Sequence, residues 1–136
     1  MDLDITKDHV RKVLAVMPKR FTVTQLKEKL VSTAIDESED VNRSLVKALR
    51  EEFNLTLEDL YKDNREEKFA YVRQSVHFLL REEGMSLVAI GRLTNRNHAT
   101  VLHSISKVTD AIYSGYNDTL KTYFYRLKSR YDAYRV

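Results

Sequence analysis

The chain of 136 residues has no cysteine, one proline and three glycines. Without cysteine it has no disulfide framework and no thiolate metal site. With so few glycines it holds no G-x-x-x-x-G-K-[ST] loop to cradle phosphates, so these residues are not expected to drive chemistry with ATP. The scarcity of proline and glycine also leaves long segments without a breaker, which predicts an all-α fold. No run of about 18 apolar residues occurs, so no membrane-spanning helix and no membrane partner are expected. The opening Met1-Asp2-Leu3-Asp4 lacks a basic stretch before an apolar one. It reads as no secretory signal, and the expected location is cytoplasmic.

What is present suits a globular chain: 43% hydrophobic and 32% charged residues. The length fits one compact domain, or one domain with a small appendage. Net charge is +3, unevenly spread. Residues 1–84 carry 15 basic and 17 acidic side chains, and residues 85–136 carry 8 and 3. The basic excess therefore lies in the C-terminal part, as an electrostatic footprint for a polyanion requires; a solvated helix face gives the same asymmetry.

The richest segment is Gly84-Met85-Ser86-Leu87-Val88-Ala89-Ile90-Gly91-Arg92-Leu93-Thr94-Asn95-Arg96-Asn97-His98-Ala99-Thr100-Val101-Leu102-His103. Ser86 is an N-cap candidate, and Leu87, Ile90 and Leu93 follow at helical spacing. Thr94-Asn95-Arg96 interrupts the pattern, and Asn97 is a second N-cap candidate. Beyond it Val101, Ile105, Val108 and Ile112 make one apolar stripe, which Leu102 widens. Ala99, Thr100, His103, Ser106 and Lys107 fall on the other side. Two short helices joined by three or four residues are helix-turn-helix geometry, whose second helix reads the DNA major groove.

The flanks complete the architecture. Asp4 to Met17 reads as a helix with Val10, Val13, Leu14 and Met17 on one face, ended by Pro18. Phe21, Val23, Leu26, Leu30 and Val31 mark a second, capped by Thr22 or Thr24. Ala34-Ile35-Asp36-Glu37-Ser38-Glu39-Asp40 is acidic and polar and is the linker candidate. Ser38 then starts a helix carrying Val41, Leu45, Val46, Leu49 and Phe53. The expected division is an N-terminal helical extension over 1–35 and a helix-turn-helix domain over 36–136. Phe21-Thr22-Val23-Thr24-Gln25-Leu26 admits a second helix-turn-helix or a plain helical hairpin. At the C-terminus Leu120, Tyr123, Phe124, Leu127, Tyr131 and Tyr134 form a long amphipathic helix. It closes the core, or serves as a homodimer interface or a basic strip beside phosphates.

Catalytic readings fail on spacing. His98 and His103 are five residues apart, so on a helix they point some 140° apart and do not pair on a metal. His9 and His77 sit in unrelated helical patterns, and Glu82-Glu83 reads as a solvated helix end. No G-x-S-x-G appears, and no arginine and histidine set surrounds any tyrosine to make it a nucleophile. No metal, no cofactor and no enzymatic activity are expected.

Arg96-Asn97-His98-Ala99-Thr100-Val101-Leu102-His103 resembles the signature Gly-Gly-Arg-Asp-His-Thr-Thr-Val-Leu-His of the C-terminal DNA-binding domain of DnaA, the bacterial replication initiator. Tyr71-Val72-Arg73-Gln74 resembles the Ala-Arg-Gln opening the helix before that motif. Ser86-Leu87-Val88-Ala89-Ile90-Gly91 resembles Ser-Leu-Pro-Glu-Ile-Gly. Phe53-Asn54-Leu55-Thr56-Leu57-Glu58-Asp59-Leu60 resembles the end of the family's first helix and the short helix after it. The resemblance covers roughly residues 40 to 112 and does not include the ATPase core that DnaA carries before this domain.

The resemblance implies a DnaA-like bundle that binds double-stranded DNA. Arg73 would enter the minor groove. Asn97, His98, Ala99 and Thr100 would face base edges in the major groove. Arg96 and His103 would lie near phosphates, Lys107 joins the DNA-binding set, and Ser86 and Leu87 would aim helix N-terminal amides at a phosphate. Three features depart from the family. Asn97 replaces its aspartate, which accepts from cytosine N4, whereas asparagine pairs bidentately with adenine. Ala99 replaces its threonine, and Thr94-Asn95 its Gly-Gly. The basic loop is diluted to Lys62-Asp63-Asn64-Arg65-Glu66-Glu67-Lys68. The expected function is sequence-specific DNA binding in control of replication initiation or of transcription, with replication-initiation proteins as further partners. The alternative is a protein-interaction module that keeps the fold and binds a replication partner.

Overall fold

The computed structural model describes residues 5–135, all helices and connections. Among them run α1 (Lys7–Val16), α2 (Val23–Phe53), α3 (Leu57–Tyr61), α4 (Glu67–Glu82), α5 (Leu87–Thr94), α6 (His98–Ser114) and α7 (Asp118–Tyr134). The all-α expectation holds.

The caps explain most boundaries. Thr6, Thr22 and Thr56 each accept from the third backbone amide of α1, α2 and α3. His9, Gln25 and Asp59 reach back to the cap amide, completing a capping box each time. Ser86, Asn97 and Asn117 cap α5, α6 and α7. α2 ends on Asn54 with φ 55°, in the left-handed region that asparagine tolerates better than most residues. The expected start of α1 at Asp4 lies outside the described residues.

One expectation is corrected. The linker candidate over residues 34–40 is helical, and α2 runs unbroken for 31 residues. No proline or glycine interrupts it, and two of the segment's four carboxylates are paired across the helix surface. Glu37 receives the Nε2–H of His9 and the ammonium of Lys12 from α1. Asp40 pairs with Arg43 and with Arg135 beyond α7. Ala34 is buried beneath them. Polarity marked an exposed face rather than a break.

The core is built from α2, α4, α6 and α7. α4 packs on α6 and α7, α2 packs on α7, and α5 leans on α6. Leu45, Leu49, Leu60, Val76, Leu80, Ile90, Val101 and Val108 meet there with Leu120, Phe124, Leu127 and Tyr131. The apolar stripe of α7 is thus spent on this chain's own core. Its seam with α2 is reinforced where Arg126 and Arg130 each donate to Glu52, at 2.7 and 2.9 Å, and where Tyr123 stacks on Phe53.

α1 packs along α2, making a helical hairpin rather than a second helix-turn-helix. Between that hairpin and the α4–α5 corner a cavity of about 330 Å³ remains, walled by Ala34, Val41, Leu80, Met85 and Leu93. Val13 is buried, but Leu14, expected on the same face, is about half exposed.

Candidate nucleic-acid interface

The turn between α5 and α6 is fixed by four residues. Asn95 alone takes the left-handed conformation, φ 54°, while Thr94 stays helical as the last residue of α5. The Arg96 amide donates to the Gly91 carbonyl at 2.8 Å. Gly91 is needed for that approach, because a Cβ there would stand 2.1 Å from the Arg96 carbonyl oxygen. Thr94 is fully buried; its hydroxyl donates to the Ile90 carbonyl and therefore accepts from the Nε2–H of His77 at 2.7 Å. The sequence placed Thr94 in the turn and His77 in an unrelated pattern. Together they bolt the turn to α4.

His77 is held neutral. Burial above all, then the charges of Arg73 and Arg96, push its pKa from 6.5 down to about 3. Its Nδ1 is buried without a hydrogen-bond partner, so a second proton would place an uncompensated charge inside the protein.

The first turn of α6 stands in solvent. Asn97 accepts from the Thr100 amide at 2.8 Å, and Asn97, His98, Ala99 and Thr100 are all exposed. His103 and Lys107 continue the exposed side one and two turns on, while Val101 and Ser104 are buried behind. At the start of α5, Ser86 accepts from the Ala89 amide, and Leu87 is half-buried against the core. Polar, hydrogen-bonding side chains are thus held on a rigid helix whose inner face is anchored.

Two arginines lie behind this surface. Arg96 is half-buried; its guanidinium donates to the carbonyls of Thr94 at 2.9 Å, Asn95 at 3.0 Å, Lys62 at 3.1 Å and Tyr61 at 3.4 Å. Arg73, which the resemblance places in the minor groove, points inward and is 8% exposed. Its Nε donates to the Leu60 carbonyl at 3.0 Å, and one terminal nitrogen lies 3.4 Å from the carbonyls of both Lys62 and Asn64. The carbonyls at the end of α3 and in the following loop have no helical partner, and the buried guanidinium supplies one. Burial first, then the charge of Arg96, work against its positive charge. Of the ten expected site residues, Asn97, His98, Ala99, Thr100, His103 and Lys107 are exposed on α6 or at its cap, Ser86, Leu87 and Arg96 are half-buried, and Arg73 is buried.

Among the described residues no group of three or more histidine, cysteine or acidic side chains could hold a metal ion. No helix among them is long and apolar enough to cross a membrane.

Two short helices joined by a three-residue turn, the second capped, exposed at its first turn and packed on a helical bundle, define a helix-turn-helix domain. Residues 43–108 match the family described as "Bacterial dnaA protein helix-turn-helix", and this segment of the chain belongs to that family. Relatives named chromosomal replication initiator protein DnaA include that of Lachnoclostridium phytofermentans, 30% identical over 116 residues, 75% of this chain and 26% of the relative. The one from Thermoanaerobacter pseudethanolicus is 30% identical over 135 residues, 98% of this chain and 26% of the relative, so that likeness also runs through α1 and α2. The one from Thermomicrobium roseum is 42% identical over 69 residues, 49% of this chain and 15% of the relative. The chain spans about a quarter of the length of the first two. No solved structure matches.

Proposed function

We propose that this chain is a sequence-specific reader of double-stranded DNA that acts in the control of replication initiation. One observation carries the reading. The first turn of α6 presents Asn97, His98, Ala99 and Thr100 to solvent on a helix whose inner face, Val101, Ser104, Val108 and Ala111, is buried in the fold. α6 enters the major groove by that turn, and these four residues face base edges. His103, Lys107 and Arg96 lie beside phosphates, and the N-terminus of α5 at Ser86 and Leu87 offers amides to another. Arg73 serves from within, by holding the loop of residues 62–66 in place beside the turn. Residues 36–136 form the reading unit and residues 1–35 an extension joined to it through the unbroken α2. The replication role is supported by the printed names of the relatives.

The test is selection from a random duplex library at two salt concentrations, followed by sequencing of the bound DNA. Enrichment of one short motif, lost in His98→Ala, is the expected result. Binding that is salt-sensitive but without enrichment would leave a non-specific binder. No binding at low salt would reject the reading and leave the protein-interaction module in its place.

A further inference from the structure

The cavity of about 330 Å³ beside α5 has no part in reading DNA. Protein cores are packed almost without voids larger than a water molecule, so a space of this size is an exception. Its walls come from the start of α1, the middle of α2, the end of α4 and from α5, with Arg135 behind them. Ala34, Val41, Leu45, Leu80, Met85 and Leu93 make most of that surface apolar. Water finds few partners there. Four helices close around the space, which leaves room for a small molecule rather than for a further helix about 10 Å across. Apolar walls with a few polar groups at this volume are the usual form of a small-molecule pocket.

The charges at the rim disfavour a charged occupant. Glu37 already accepts from His9 and, at 3.3 Å, from Lys12, while Arg135 pairs with Asp40 and with Glu83. Arg92 is not free either. A charged group entering here would have to displace one of these partners. Asn42 differs. It is exposed at the cavity wall, and its carboxamide has no hydrogen-bond partner among the described residues. It offers both an acceptor oxygen and N–H donors. We propose that this cavity binds a neutral small molecule with an apolar body and one hydrogen-bonding group, the body lying among Ala34, Leu80 and Leu93 and the polar group on Asn42. The bound molecule ties the α1–α2 hairpin to α5. The site stands apart from the DNA-reading function and does not depend on it.

The probe for the test is N-phenylnaphthylamine, which is neutral and apolar and has a single N–H to donate to the Asn42 side-chain oxygen. Titrated with the full chain and followed by its fluorescence, it should bind one to one with a Kd of about 10 μM. It should also raise the melting temperature, because it binds the folded state alone. Anilinonaphthalene sulfonate has the same rings and a negative charge, and should bind about tenfold more weakly or worse. Ala34→Leu fills part of the space and should weaken the neutral probe about tenfold in a chain that stays helical by circular dichroism. Asn42→Ala, at an exposed position, should keep the fold and weaken the probe about fivefold, as loss of one hydrogen bond predicts. The proposal is overturned if the neutral probe does not saturate at one site, if the charged one binds as tightly, or if either variant binds the neutral probe as the wild type does.

Discussion

His77 ties the reading turn to α4 only while its ring is neutral. The folded protein keeps the imidazole unprotonated down to about pH 3, whereas the unfolded chain takes up a proton below 6.5. Between those values the unfolded state binds more protons, so stability falls as pH falls through that window. The slope contributed by this one ring is about 1.4 kcal/mol per pH unit, and above pH 6.5 it contributes none. Urea midpoints across pH 4 to 7 should show the decline, and His77→Leu should flatten it; an unchanged slope would mean another group is responsible. Asn97 combines two jobs that substitution can separate. Asn97→Ala removes the cap and should cost about 1 kcal/mol of stability. Asn97→Asp keeps the cap, restores the residue of the DnaA signature and should change the enriched DNA motif while leaving the melting temperature in place. A motif identical in wild type and Asn97→Asp would remove Asn97 from the base-reading set. At Gly91 no side chain fits beside the Arg96 carbonyl, so Gly91→Ala must shift the turn. It should destabilise by an amount at the upper end of about 1–3 kcal/mol.

At the scale of elements, the local signals were legible and the long-range ones were not. Caps at Ser86 and Asn97 announce α5 and α6 because capping is decided within four residues. The apolar stripe of α7 announces the closing helix for a similar reason. The continuity of α2 was hidden because the partners of Glu37 and Asp40 come from α1 and from beyond α7, distant in sequence. The inward direction of Arg73 was hidden on the same ground. Its position in the chain fits the family's motif, but its direction is set by the carbonyls of Leu60, Lys62 and Asn64, which only the fold brings near. That direction has a consequence. A side chain that holds a loop and one that reads a groove fail differently. Arg73→Ala takes the guanidinium from the buried Leu60 carbonyl and should cost about 1–3 kcal/mol of stability. The salt dependence of DNA binding should stay as it is, because no phosphate contact is lost. Loss of affinity in a variant that melts at the wild-type temperature would return Arg73 to the groove.

Over the whole molecule, charge is sorted by location. The segment 85–136 is basic, with 8 lysines and arginines against 3 acidic residues, while Glu37, Asp40, Glu51 and Glu52 of α2 are taken up by partners within the fold. Glu52 is held below the usual carboxylate range by Arg126 and Arg130 through hydrogen bonds from both. Arg130 also pairs with Glu51 at 3.7 Å, so two carboxylates balance these two arginines, which contribute little to a distant phosphate. The cations left on the side of the reading turn are Lys62, Arg65 and Lys107, which are exposed, and the half-buried Arg96. Each phosphate they neutralise releases condensed counterions, so a plot of log affinity against log salt should fall with a slope of about −3 to −4. Lys107→Ala should make that slope shallower by about one unit and weaken binding to all duplexes alike, since a phosphate contact carries no sequence information. Arg126→Ala should leave the slope unchanged, because its charge belongs to the α2–α7 seam. A steeper dependence on Arg126 than on Lys107 would put the DNA against α7 rather than α6 and reverse the orientation argued from the recognition helix.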